Sequence, residues 1–177
     1  MRTIFDRISK YGLADWAVVF QGASGIPGHS DRLPPDCVES FANVELEKVA
    51  VDDPLLDAIV SLADDSDLPA SELCPQLQKM CDSKNFDMQR ARRIWRAVAL
   101  EEVLANLDSD TISGMMELAG FWSNWGWPAD APASMLSGAN ALPTQDYHSA
   151  SNYDRVIHEN EQWLKVELAA LREVRGF

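Results

Sequence analysis

The chain has 177 residues, 46% hydrophobic, with 28 acidic against 15 basic side chains; it is long enough to bury roughly 70% of its unfolded surface as one domain, and short for two. A formal charge of −13 repels phosphate backbones and anionic lipid, which sets nucleic acid and membranes aside as partners and favours capture of a basic protein. The charged opening from Met1 to Arg7 lacks the apolar run of a signal peptide, and no segment approaches the roughly 20 apolar residues of a membrane span, so a cytoplasmic protein is expected.

Apolar residues recur at helical spacing along almost the whole chain, and strict alternation is scarce, which predicts an all-α fold. Ile4, Phe5, Ile8 and Tyr11 form a first stripe stopped by Gly12; Trp16, Val19 and Phe20 form a second stopped by Gly22. Residues 22–33, rich in glycine and serine, predict an exposed loop. Pro34-Pro35-Asp36 starts a helix with Val38, Phe41, Ala42, Leu46 and Val49 behind it, and Asp53-Pro54 starts the next. In that helix Leu55, Leu56, Ile59, Val60 and Ala63 are expected to face inward.

Asp64-Asp65-Ser66-Asp67-Leu68-Pro69 is turn chemistry, after which Ala70 to Lys84 resumes a helix with Leu73, Leu77 and Met80 inward. The longest helix is predicted from Asp87 to about Leu107, with Ala91, Ile94, Trp95, Val98 and Val103 on its core side. Arg90, Arg92, Arg93 and Arg96 are spaced around it and predict a solvated face paired with Glu101 or Glu102. Asp108-Ser109-Asp110 caps a helix striped by Ile112, Met115, Met116, Ala119 and Trp122, which leads into three tryptophans within six positions, Trp122, Trp125 and Trp127. Pro128 and Pro132 end it, Met135 and Leu136 make a short turn, and residues 137–150 are loop-like. A last helix from about Ser151 to Val174 carries Tyr153, Ile157, Leu164, Leu168 and Leu171. The expected whole is a single-domain irregular helical bundle over 1–177, or a short array of helical hairpins, with about eight helices.

Motifs for catalysis are missing from this pattern. Cys37, Cys74 and Cys81 are odd in number and form no Cys-x-x-Cys pair, so they read as small buried hydrophobes. His158-Glu159-Asn160 begins like a zinc protease helix, but position 162 is Gln, and the second ligand one turn on is absent. His29 and His148 fall in predicted loops. Asp64, Asp65 and Asp67 lack the glycine and closing glutamate of a calcium loop. Neither a nucleophile elbow nor a phosphate-cradling loop is present. No cofactor or metal is therefore expected, and the chain reads as a binding protein rather than an enzyme. The candidate partner-binding residues are the acids Asp57, Asp64, Asp65 and Asp67 and the aromatics Trp125 and Trp127; the tryptophan cluster is either a structural corner or a contact surface.

Tyr11-Gly12-Leu13-Ala14-Asp15-Trp16, then Phe20-Gln21-Gly22, Asp53-Pro54 to Leu62-Ala63, and above all Phe121 to Asp130 and Met135 resemble a family of small, acidic, largely helical bacterial proteins. That family is a domain of unknown function found among the immunity proteins of polymorphic-toxin and contact-dependent inhibition systems. The resemblance spans about residues 6 to 171; Trp127 and Asn124 stand where its pattern has a tyrosine and an acid. It implies a protein that binds and neutralises one cognate toxin, a basic effector domain, by steric and electrostatic blockade with aromatic anchors. The alternative is a non-catalytic helical adaptor for a peptide or protein partner.

Overall fold

The computed structural model describes residues 1–64, 68–136, 146 and 149–173. Among the described residues there are eight helices and no strand: α1 (Arg2–Lys10), α2 (Trp16–Ser24), α3 (Pro35–Leu46), α4 (Leu56–Asp64), α5 (Ala70–Lys84), α6 (Met88–Asn106), α7 (Thr111–Asn124) and α8 (Ala150–Glu173). The chain divides into two compact units, Met1–Trp95 and Arg96–Phe177, and α6 runs through the division.

In the first unit α1 buries Ile4, Phe5 and Ile8 and ends in a turn where Gly12 takes φ +67°. The Asp15 carboxylate caps α2 by accepting the Val18 N–H at 2.9 Å, while its other oxygen takes Arg90 at 3.1 Å. Gly22 does not stop α2. The helix continues to Ser24 and ends at Gly25, whose φ of +104° suits glycine. Gly22 is needed for packing instead, because a Cβ there would lie 2.6 Å from Cζ2 of Trp95. That indole is completely buried, donates its N–H to the Val18 carbonyl at 2.8 Å and stacks on Phe5.

The expected loop at 22–33 is only partly exposed. Ile26 and Leu33 are buried, and the Leu33 N–H donates to the Gly22 carbonyl at 2.8 Å, which pins the loop to the end of α2. Proline opens α3, which packs on α4. The Asp53 carboxylate accepts the Leu55 N–H at 2.9 Å just ahead of α4. Leu55, Ile59 and Leu62 turn inward, whereas Val60, expected inside, is exposed. Helix α5 packs on α2 through a face that includes Leu73, Leu77, Met80 and Cys81 and ends on Asn85 in the left-handed conformation.

In the second unit residues 96–100 of α6 are all buried, so this stretch lacks a solvent face. Helix α7 is capped by Asp110, which accepts the Ser113 N–H at 2.8 Å, and packs on α8. Its inward face is Gly114, Met115, Leu118, Phe121 and Trp122. The expected stripe holds at Met115 and Trp122 but fails at Ile112 and Met116, which are 49% and 69% exposed. Gly114 sets this rotation: its missing side chain admits the Tyr153 ring, whose hydroxyl donates to the Asp108 carbonyl, and a Cβ there would overlap that hydroxyl. The short turn at Met135 and Leu136 is present, both N–H groups donating to the Pro132 carbonyl. The loop expected at 137–150 lies outside the described residues up to 145 and at 147–148. Helix α8 buries Tyr153, Val156, Leu168 and Leu171, and with them the polar Asn152, Asn160 and Glu167.

Candidate functional site

The tryptophan-rich segment organises itself around one arginine. Arg96, expected on a solvated face, is buried in the second unit with its side chain 8% exposed. Its guanidinium carbon lies 5.0 Å from the centroid of the Trp163 ring and 5.9 Å from that of Trp122, a cation held against two indole faces. Both terminal nitrogens reach the carboxylate of Asp130, Nη1 to Oδ1 at 3.1 Å and Nη2 to Oδ2 more tightly, and Glu167 approaches Nη2 at 3.7 Å. A bidentate fork of this kind fixes orientation as well as charge.

The chain around Asp130 is tied down at further points. Trp163 donates its indole N–H to the Asp130 carbonyl, and the Ser134 N–H donates to Glu159 at 3.1 Å. Burial pushes the Glu159 carboxyl up, but bonds from Ser134 and Arg155 outweigh it and leave the carboxyl below its usual range. Trp122 is completely buried, donates to Asn160 Oδ1 at 2.8 Å, and meets Phe121 and Trp163 edge to face at 5.2 and 5.1 Å. Asn160 in turn donates to the Val156 carbonyl. Among the described residues, Nε of Arg96 and Oγ of Ser134 are buried here without a hydrogen bond.

Of the two aromatic candidates, Trp125 is 4% exposed and packs on Phe121, whereas Trp127 presents 40% of its surface. Trp127 also holds φ +48° while its N–H donates to the Trp122 carbonyl at 3.0 Å. A bulky residue in this left-handed region carries strain of about 1–2 kcal/mol. The cluster is thus a structural corner at Trp122 and Trp125 and a presented ring at Trp127.

In the first unit, Asp57 and Asp64 both lie exposed on α4, two turns apart, with Val60 and Ser61 exposed between them. Asp65 and Asp67 lie outside the described residues. Asp53, just before the helix, is held below the usual carboxylate range by the Leu55 N–H and by Lys84, which bonds it at 2.9 Å. Cys37 and Cys81 are buried, as expected of small hydrophobes, and burial beside Asp15 and Asp82 pushes the Cys81 thiol up to about 12. Cys74 is half-buried and donates weakly to the Ala23 carbonyl. His29 and His158 are exposed and His148 lies outside the described residues; no group of three metal-ligating side chains occurs among the described residues.

The sequence pattern put Arg96 on a solvated face and Asp130 at the end of the aromatic motif, and marked neither of them, nor Asn160 or Glu167, as a site residue. A signal existed for two of them: Arg96 interrupts the otherwise apolar run from Ile94 to Leu100, and Asp130 closes the aromatic motif after Pro128. The pairing itself joins residues 34 positions apart and carries no local signature.

An acidic chain, helical throughout its described residues, whose second unit packs an arginine-tryptophan core is the class that fold and site define. The chain matches, over residues 5–168, the family described as "Uncharacterized protein conserved in bacteria (DUF2247)", and belongs to it. No curated protein and no solved structure matches the chain.

Proposed function

We propose that this protein acts by binding rather than by catalysis, as an immunity protein that occupies and neutralises a basic bacterial effector domain. The observation that carries this reading is the outer face of α4, where Asp57 and Asp64 flank exposed Val60 in a chain of net charge −13. Carboxylates around a small apolar contact attract a cationic surface and speed its capture, while desolvated apolar groups slow its release. Asp65 and Asp67 follow Asp64 directly in sequence and extend the acidic run. Trp127, in the second unit, supplies an exposed aromatic anchor of its own. The resemblance to immunity proteins points the same way.

The test is co-expression with any effector domain found encoded beside the gene, followed by association kinetics over a salt series. Asp57→Asn with Asp64→Asn is expected to slow association about tenfold at low salt and to flatten the salt dependence. Unchanged rates across the series would remove α4 from the interface; absence of any complex with the neighbouring effector would remove the immunity reading.

A further inference from the structure

A row of side chains on α7 stands exposed among the described residues. Ile112 and Met116, one turn apart, are 49% and 69% exposed. Gly120, the next position on that row, would place a Cβ with nothing within 4 Å. A glycine in the middle of an exposed helical surface weakens the helix relative to alanine, and no contact among the described residues explains it. What it provides is room for another backbone to come close. From Ile112 to Gly120 the row spans about 12 Å, the contact length of two turns of a crossing helix.

Charge around the row selects the occupant. Helix α7 carries Glu117 and no basic residue, and Asp108 and Asp110 precede it, all three exposed. These carboxylates share one neighbourhood: burial lifts the Tyr153 hydroxyl above its usual value, and Glu117, Asp108 and Asp110 each add to the lift. A second copy would bring like charge onto like, because residues 96–177 hold 12 acidic and 5 basic side chains.

We propose that the outer face of α7, Ile112, Met116 and Gly120 bordered by Asp108, Asp110 and Glu117, docks an amphipathic helix with basic flanks from a partner protein. The partner's apolar stripe covers Ile112 and Met116, its backbone approaches over Gly120, and its lysines or arginines meet the three carboxylates. This goes beyond the immunity reading and rests on none of its residues.

The probe is an 18-residue helical peptide with leucine on one face and lysine on the other, titrated at about 0.15 M salt against the full chain by calorimetry. A matching leucine–glutamate peptide is the control. The lysine peptide is expected to bind and the glutamate peptide not to. Ile112→Ser with Met116→Ser should weaken binding at least tenfold, while Asp6→Asn with Asp31→Asn, at two exposed acids outside both proposed faces, leaves it unchanged. Gly120→Ala should raise Tm by about 2 °C and yet weaken binding, a combination that loss of folding cannot produce. Equal binding of both peptides, binding indifferent to the α7 substitutions, or no binding at all would overturn the proposal. So would a dimer in sedimentation that Met116→Ser dissolves, since the face would then belong to a second copy.

Discussion

Arg96 is costly to bury and is held by several partners at once, so its replacements should fall in a definite order. Arg96→Ala removes the guanidinium beside Glu167 and opens a gap against two indole rings, and is expected to cost about 3 kcal/mol. Arg96→Lys keeps the charge but loses the fork and the flat contact with Trp163, for about 1–2 kcal/mol. Asp130→Ala removes a carboxylate that is 51% exposed and so partly screened by solvent, for about 1 kcal/mol. Urea unfolding of the three variants checks the order; Arg96→Ala as stable as Asp130→Ala would mean that the indole contacts contribute nothing. The cysteines make a second residue-scale test. Burial keeps Cys37 and Cys81 protonated well above neutral pH, Cys81 up to about 12, so a thiol reagent at pH 8 should label Cys74 alone in the folded chain and all three after denaturation. Fast labelling of Cys81 in the native state would contradict its burial.

At the scale of single elements, glycines in one helix do opposite work. Gly114 lets the Tyr153 hydroxyl reach the Asp108 carbonyl, so Gly114→Ala should destabilise by about 2 kcal/mol, whereas Gly120→Ala should stabilise by about 0.5–1 kcal/mol. Thermal unfolding of the pair gives the signs directly, and equal signs would refute the packing account of α7. The same helix shows where sequence reading stops. Its start was legible, because Asp110 caps with a side chain whose chemistry is local, and the start of α5 was legible from the turn chemistry that ends at Pro69. Which way α7 faces was not, because that is decided by a tyrosine 39 positions later fitting over a missing side chain. Gly22 was misread for a related reason: a glycine that admits Trp95 looks in sequence like a glycine that ends a helix. The candidate acids Asp57 and Asp64 were legible as exposed because they fall off the apolar stripe of α4, while Trp125 and Arg96 were drawn into a core that only the folded chain assembles.

For the molecule as a whole, surplus negative charge is shared by both units: residues 1–95 hold 16 acidic and 10 basic side chains, and residues 96–177 hold 12 and 5. Self-repulsion on that scale works against the compact state and is relieved by salt. Ion pairs such as Arg2 with Asp36 and Lys48 with Glu45 are solvent-exposed and contribute little in the other direction. Raising sodium chloride from about 0.02 to 0.5 M is therefore expected to raise Tm by a few degrees. A fall in Tm would mean that attractive pairs outweigh the repulsion.

Trp127 gives the protein an optical handle that requires no label. Trp95 and Trp122 are sealed from water, Trp125 nearly so, and Trp127 is the indole with the most open ring among the six. Emission from the sealed rings falls at shorter wavelength, and a dissolved quencher such as acrylamide acts first on Trp127. Anything that settles over that ring shields the red edge of the spectrum, so occupancy of this corner is readable in the protein's own fluorescence.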